Sequence, residues 1–352
     1  MFRTENEFVH WLQTLAAPRE GRHTRHARRE RRVKLGIGDD AALVDVRNGC
    51  ELILTTDMSI ENIHFTRELH PAGSVGHRAI ARSLSDVAAM GGVPRYALVS
   101  LALAEGTRRD WISRFYEGLQ ALAQRFGVRL VGGDTAVVPS RTLVDVLVAG
   151  EVQRGKALRR SGAQAGDLIF VSGRLGLSAL GLRLLQRKHL EQPPLAAGSK
   201  AQASVPVPVA RKALEAHLYP EPRCALGRFL SSRGVASALI DLSDGLSMDL
   251  NRLSTASHVG ARISASKIPG PALPEALDSL QLALHGGEDY QLLFTVPPPA
   301  ASRLPSTFQG QPLYHIGEIE ARRGVRLVPL EGKVQTLKPG GWDHFRSGHG
   351  RP

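Results

Sequence analysis

The stretch Ser237–Leu250 reads SALIDLSDGLSMDL. Its first half is short and apolar, the pattern of a buried strand. That strand ends on two carboxylates, Asp241 and Asp244, with Gly245 where a turn is needed. Over LSMDLNRLSTAS (Leu246–Ser257) the apolar spacing changes to that of a helix. A strand that runs through acids and glycine into a helix is the unit of layered α/β folds, and ligands of such folds collect at strand ends.

The same habit recurs elsewhere. CELILTTDM (Cys50–Met58) is β-rich and carries Asp57 near its end. RLVGGDT (Arg129–Thr135) reads as a short strand entering a glycine turn with Asp134, and KLGIGDDAALVD (Lys34–Asp45) sets Asp39 and Asp40 beside Gly38. HGGEDYQLLFTV (His285–Val296) is a glycine turn feeding a strand. Further strands are expected at Arg95–Leu103, Thr142–Val152 and Asp167–Gly173, and helices at Phe8–Leu15, Ser74–Gly92, Arg109–Val128 and Leu177–Gln186. The Ser74–Gly92 helix carries small residues on one face and holds Asp86. Gly127 is the expected C-cap of the Arg109 helix. Alternating strands and helices define an α/β chain. The length of 352 residues suits two domains, expected at 1–153 and 154–352. The Pro/Ala/Ser-rich stretch Pro193–Pro208 reads as a loop.

Composition narrows the class. With 42% apolar residues the chain can build real cores, yet no uncharged apolar run reaches about 18 residues, so no membrane span is expected. No signal peptide is expected at the N-terminus. Cys50 and Cys224 lack CxxC spacing, which argues against a zinc site and fits a reducing cytoplasm. The net charge is +12, of which +6 falls in Arg19–Lys34, with eight Arg/Lys and two Glu. That run lacks aromatic side chains on which bases could stack, so nucleic acid is not the expected partner. A solvated basic loop is the simpler reading.

Asp39, Asp40, Asp57, Asp86, Asp134, Asp241 and Asp244 mostly follow an apolar strand or a glycine pair. Any one of them could be a turn former or helix cap. Seven with a shared placement suit a hard cation such as Mg²⁺, which prefers oxygen ligands and bridges to phosphates. A paired-carboxylate acid/base site needs two acids, not seven. The P-loop signature is absent, and GIGDD lacks the dinucleotide-binding spacing.

Taken together, LGIGDDAAL, LTTDMSIENIHF, SLSDVAAMGGVP, VGGDT, LRRSGAQAGD, IDLSDGLSMDL, GGEDYQLLF and GWDHF resemble the thiamine-monophosphate kinase family, in its order, from Leu35 to Phe345. Some of these blocks are shared with the wider superfamily of ATP-using enzymes that includes aminoimidazole-ribonucleotide synthetase. GGEDY and GWDHF point to the kinase, and no cysteine precedes position 50, where a selenophosphate synthetase would carry a reactive one. The resemblance implies a two-domain α/β protein whose N-terminal mixed sheets pair in a homodimer, with ATP near that interface. It implies transfer of the ATP γ-phosphoryl to thiamine monophosphate with several Mg²⁺ ions. Asp40, Thr55, Thr56, Asp57, Asp86, Asp134, Asp241 and Asp244 match metal-contacting positions. Gly133, Asp134, Arg160 and Ser243 match nucleotide contacts, and His64, Glu288 and Trp342 match contacts to thiamine monophosphate. Asp39 is left open as a direct ligand. No catalytic base is expected, because a phosphate acceptor with a second pKa of about 6 is largely dianionic at neutral pH. The alternatives are another ATP-dependent member of the superfamily, such as a purine-biosynthesis synthetase, and a basic nucleic-acid-binding protein.

Overall fold

The computed structural model describes residues 46–189, 205–274 and 278–342, with Trp11, Thr14 and two short antiparallel strands, β1 (Val33–Leu35) and β2 (Leu43–Val44). The expected helix Phe8–Leu15, the basic run Arg19–Lys34, the pair Asp39 and Asp40, and the loop Pro193–Pro208 lie wholly or largely outside the described residues. The chain forms two compact units. One ends at Gly155; the other runs from Lys156 and includes Ala88–Gly91.

The first unit is built on β3 (Cys50–Ile60), β4 (Val93–Ala104), β5 (Arg129–Val138) and β6 (Leu143–Gln153), in the order β3-β6-β4-β5. β6 pairs antiparallel with β3 and β4, whereas β4 and β5 are parallel. A parallel pair needs a crossover, which helix α2 (Arg109–Phe126) supplies. Along β6, Val144, Val146 and Val148 are fully buried, while Leu143, Asp145 and Leu147 are only partly so. Side chains alternate across a strand, so one face of the sheet is closed and the other open. Helix α1 (Ala72–Ala89) lies on the closed face, where Ser83 Oγ donates to the Val146 carbonyl at 2.7 Å. The small residues of α1 let α2 approach closely. A Cβ on Gly76 would lie 1.8 Å from the Phe115 carbonyl oxygen, and one on Gly118 would lie 1.9 Å from that of Gly73. Gly127 ends α2 in the left-handed conformation at φ 66, as expected of a C-cap.

One strand differs from expectation. β5 does not stop at the glycine pair but continues through Gly132, Gly133 and Asp134 to Val138. The ladder to β4 is so close at Gly133 that a Cβ there would meet the Val99 oxygen at 2.0 Å. The glycine serves close strand pairing, not a turn.

The second unit carries β7 (Leu168–Val171), α3 (Leu177–His189), α4 (Val207–Leu218), α5 (Cys224–Arg233), β8 (Ala238–Leu242), α6 (Leu246–Ala256), β9 (Gly260–Ser264), α7 (Ser279–His285) and β10 (Gln291–Val296). β11 (Thr307–Phe308) and β12 (Gln311–Pro312) form a small hairpin, and β13 (Tyr314–Glu320), β14 (Gly324–Val328) and β15 (Gln335–Thr336) follow. Seven strands form one sheet, β15-β14-β9-β13-β7-β10-β8, antiparallel except for β9 beside β14. β8 and β10 are buried at every residue, which explains why their sequences are mostly apolar, interrupted only by Asp241, Gln291 and Thr295. Their Ile240 and Leu293 join Leu246, Leu250 and Leu253 of α6 in the core. Helix α4 begins at Val207, just inside the stretch expected to be loop. Proline is tolerated in a first helical turn because the N–H it lacks would have no helical partner there.

Candidate functional site

In the first unit the acids gather at β3 and the helix behind it. The strand register places Met58, Asp145, Ser100 and Asp134 in one row across the four strands, and Asp57, Val146, Val99 and Gly133 in the next. Adjacent rows face opposite ways. Asp57 therefore points to the closed face with Val146, and Asp134 to the open face with Asp145. Thr55, on the side of Asp57, donates from Oγ1 to Asp86 Oδ2 of α1. Arg82 Nε stands 3.7 Å from Asp57 Oδ1. Burial pushes the Asp57 carboxyl up to about 7; Arg82 opposes this, while Asp86, which also shares a hydrogen bond with Asp57, and Asp145 reinforce it. On the open face Thr56 Oγ1 donates to Asp145 Oδ1 at 2.7 Å, and Asp134 Oδ1 accepts from the Thr135 N–H at 2.8 Å. The fold thus joins Thr55, Asp57 and Asp86 and sets Asp134 on the other face of the sheet. His64 sits in the turn after β3, where Nδ1 accepts from the Ile60 N–H at 3.0 Å. That bond puts the ring proton of a neutral His64 on Nε2.

Asp145 and Arg82 were missed by the sequence reading. The signal for Asp145 was a single acid at alternating spacing inside LVDVLV, and Arg82 lies one helical turn before Asp86.

In the second unit three distant motifs meet at the turn Ser243–Gly245, which follows β8. The Ser243 carbonyl accepts from the Glu288 N–H at 2.7 Å, and the Asp244 carbonyl accepts from the Trp342 N–H at 3.2 Å. Glu288 and Tyr290 hold left-handed backbone at φ 62 and φ 47. Such residues cost on the order of 1–3 kcal/mol each and persist where the surroundings fix them. Here the fixing bonds are Glu288 N–H to Ser243 and Tyr290 N–H to Leu242 at 2.9 Å. Glu288 Oε2 lies 3.8 Å from Nδ1 of buried His217, which also meets Ser178 Oγ at 3.0 Å. Asp241 is buried on β8. Asp244 pairs with Arg252, which also binds Asp249 Oδ1 at 2.8 Å. Asp249 in turn accepts from the Asp244 and Gly245 N–H groups at 3.0 and 3.1 Å. Burial, then the nearby Asp244, raises the Asp249 carboxyl to about 7. Arg160 is exposed, and Ser257 Oγ donates to its carbonyl at 2.8 Å.

Asp249, Arg252, Asp289 and His217 are also additions of the structure. Asp289 accepts from the Gly176 and Ser178 N–H groups at 2.5 and 3.2 Å, at the start of α3. Burial pushes its carboxyl up to about 7 against those donors.

Among the described residues, no three His, Cys, Asp or Glu side chains converge as a self-sufficient metal site. The acids that do meet are paired with each other or with arginine. No helix of the described chain is long and apolar enough to cross a membrane.

Each of the two compact units is built on a β-sheet with helices. Residues 38–152 match the AIR synthase related protein N-terminal domain and residues 164–329 its C-terminal domain. The chain is a two-domain member of that family. It is 34% identical to the thiamine-monophosphate kinase of Bacillus subtilis, over 89% of this chain and 94% of that one. The crystal structure of thiamine-monophosphate kinase from Stenotrophomonas maltophilia superposes with a TM-score of 0.72 at 37% identity, covering 86% and 94% of the two chains. A structure of AaThiL complexed with AMPPCP and TMP gives 0.71 at 31% identity, covering 98% and 99%. Within the larger family, the chain belongs to the thiamine-monophosphate kinases.

Proposed function

We propose that this chain transfers the γ-phosphoryl group of ATP to thiamine monophosphate, giving thiamine diphosphate and ADP, by direct in-line displacement. The observation that carries this reading is the convergence of Glu288, Ser243, Asp244 and Trp342, from three separated motifs, at one turn. A terminal phosphate oxygen of the acceptor forms a bond to the γ-phosphorus as the bond to the β,γ-bridging oxygen breaks and ADP leaves. The acceptor is already largely dianionic, so no side chain must remove a proton.

Asp57 and Asp86 fit Mg²⁺. Two acids in contact, one still partly protonated near neutrality, hold a site where a hard dication can replace the proton. Bound there, with Thr55 alongside, Mg²⁺ would offset the repulsion between the two phosphorylated substrates. The family resemblance adds Asp40, Thr56, Asp134, Asp241 and Asp244 as further contacts, which would let the protein hold several ions. Asp244 would contact such an ion while shared with Arg252. Arg160 clamps nucleotide phosphate with a fork of N–H donors, with Gly133, Asp134 and Ser243 as further nucleotide contacts. Glu288 accepts from the aminopyrimidine, Trp342 stacks on the cationic thiamine, and His64 offers its Nε2–H.

The first unit carries most of the proposed metal contacts, and the second carries Glu288 and Trp342. The open face of the first sheet presents Leu52, Leu54 and Met58, with Leu54 62% exposed, and is read as the face that pairs in a homodimer. Free Cys50 and Cys224 suit a cytoplasmic setting.

The test is incubation with ATP, MgCl₂ and thiamine monophosphate, followed by chromatographic quantification of thiamine diphosphate and ADP. Stoichiometric products support the reading. No thiamine diphosphate from folded protein overturns it, and ADP formation with a carboxylate substrate would favour the purine-type synthetase.

A further inference from the structure

The segment that carries Trp342 is held at more than one point. The Gly340 N–H donates to Ser247 Oγ at 3.1 Å, and Ser247 Oγ meets His285 Nδ1 at 2.8 Å. Two residues on, the Trp342 N–H reaches the Asp244 carbonyl at 3.2 Å. Upstream, Leu337 N–H donates to the Val325 carbonyl at 2.9 Å, and its side chain packs on the core. Between these anchors the chain passes too close for a side chain. A Cβ on Gly340 would meet His285 Nδ1 at 2.7 Å, and one on Gly341 would meet the Asp244 oxygen at 1.9 Å. The two glycines thus allow flat docking, and Ser247 and His285 supply the polar contact.

We infer that Ser247 and His285 are positioning residues that dock Gly340–Trp342 on the Ser243–Gly245 turn and thereby set the Trp342 ring for the thiamine moiety. This rests on the reading of Trp342 as a substrate contact. Ser247 is fully buried at the start of α6, and His285 ends α7 just before the turn that leads to Glu288. The serine oxygen accepts from the Gly340 N–H and shares a second hydrogen bond with His285 Nδ1, whose tautomer sets the direction. Burial lowers the pKa of His285, which favours the neutral ring. The turn then holds both recognition residues by consecutive carbonyls, Ser243 for Glu288 and Asp244 for Trp342. Because Ser243 and Asp244 are also the proposed nucleotide and metal contacts, a shift of the docked segment is felt at both substrates' sites only if the turn itself moves. Loss of the Ser247 bridge loosens the segment but leaves the turn, which β8 and Asp249 hold independently.

The experiment compares Ser247→Ala, Gly341→Ala and Trp342→Ala with wild type in steady-state kinetics, with tryptophan fluorescence and thermal midpoint measured in parallel. Loss of one buried hydrogen bond predicts that Ser247→Ala raises KM for thiamine monophosphate about 2- to 10-fold, with KM for ATP unchanged. Gly341→Ala should produce the larger rise. In both variants the substrate-dependent fluorescence change should shrink toward that of Trp342→Ala. If Trp342→Ala itself leaves KM for thiamine monophosphate unchanged, the reading of the site fails. If Trp342→Ala raises it but Ser247→Ala alters only the thermal midpoint, the docking inference fails alone. Should Gly341→Ala not fold, Ser247→Ala decides the question.

Discussion

Asp289 offers a direct test of how burial and helix-end donors balance. Its carboxyl is only 8% exposed and accepts backbone N–H bonds at the start of α3, yet its pKa is raised from 3.8 to about 7. A folded-state pKa above the unfolded value means that the native state holds the proton longer. Between the two values the unfolded chain releases its proton and the native chain does not. Stability contributed by this group is therefore full below about pH 4 and falls as pH rises, levelling off above about 7. The slope is about 1.4 kcal/mol per pH unit, so between about pH 4.5 and 6.5 wild type loses on the order of 3 kcal/mol from this one group. Asp289→Asn cannot titrate and lacks that loss. Urea unfolding of both proteins across this range measures it, because the difference of slopes cancels Asp57 and Asp249, which titrate alike in both. Parallel pH profiles for wild type and variant would refute the reasoning. They would show that the amide donors and the helix dipole keep Asp289 ionised despite burial.

Asp57→Asn and Asp86→Asn should each remove most Mg²⁺-dependent turnover while circular dichroism stays native; near-wild-type turnover in both would remove the pair from the metal site. Trp342→Ala should raise KM for thiamine monophosphate about 2- to 30-fold, from a cation–π contact of roughly 0.5–2 kcal/mol, with ATP affinity unchanged by titration. Leu54→Asp, on the open face of the first sheet, should convert a homodimer to monomer by light scattering. A monomeric wild-type chain at micromolar concentration would end that proposal.

Much of the fold was readable because it rests on local rules. The buried strands β8 and β10 announce themselves as short, mostly apolar runs, and α2 by its apolar spacing and Gly127 cap. The glycine pair before Asp134 misled because the same residue type serves a turn and a close strand pair. Only the neighbouring strand distinguishes the two, and Val99 stands where a side chain would go.

The site divides in the same way. The chain alone determined which chemical groups are available: acids after apolar strands, Glu288 after Gly-Gly, Trp342 after Pro-Gly-Gly. It could not determine which of them meet. Strand register sends Asp57 to Asp86 and Arg82, and turns Asp134 toward Asp145 on the opposite face. One residue of phase reverses a side chain's direction, and phase is fixed by pairing partners far away in sequence. The same holds at the Ser243–Gly245 turn. Its carbonyls meet N–H groups 45 and 98 residues further along the chain, at Glu288 and Trp342, and only the folded sheet brings these together.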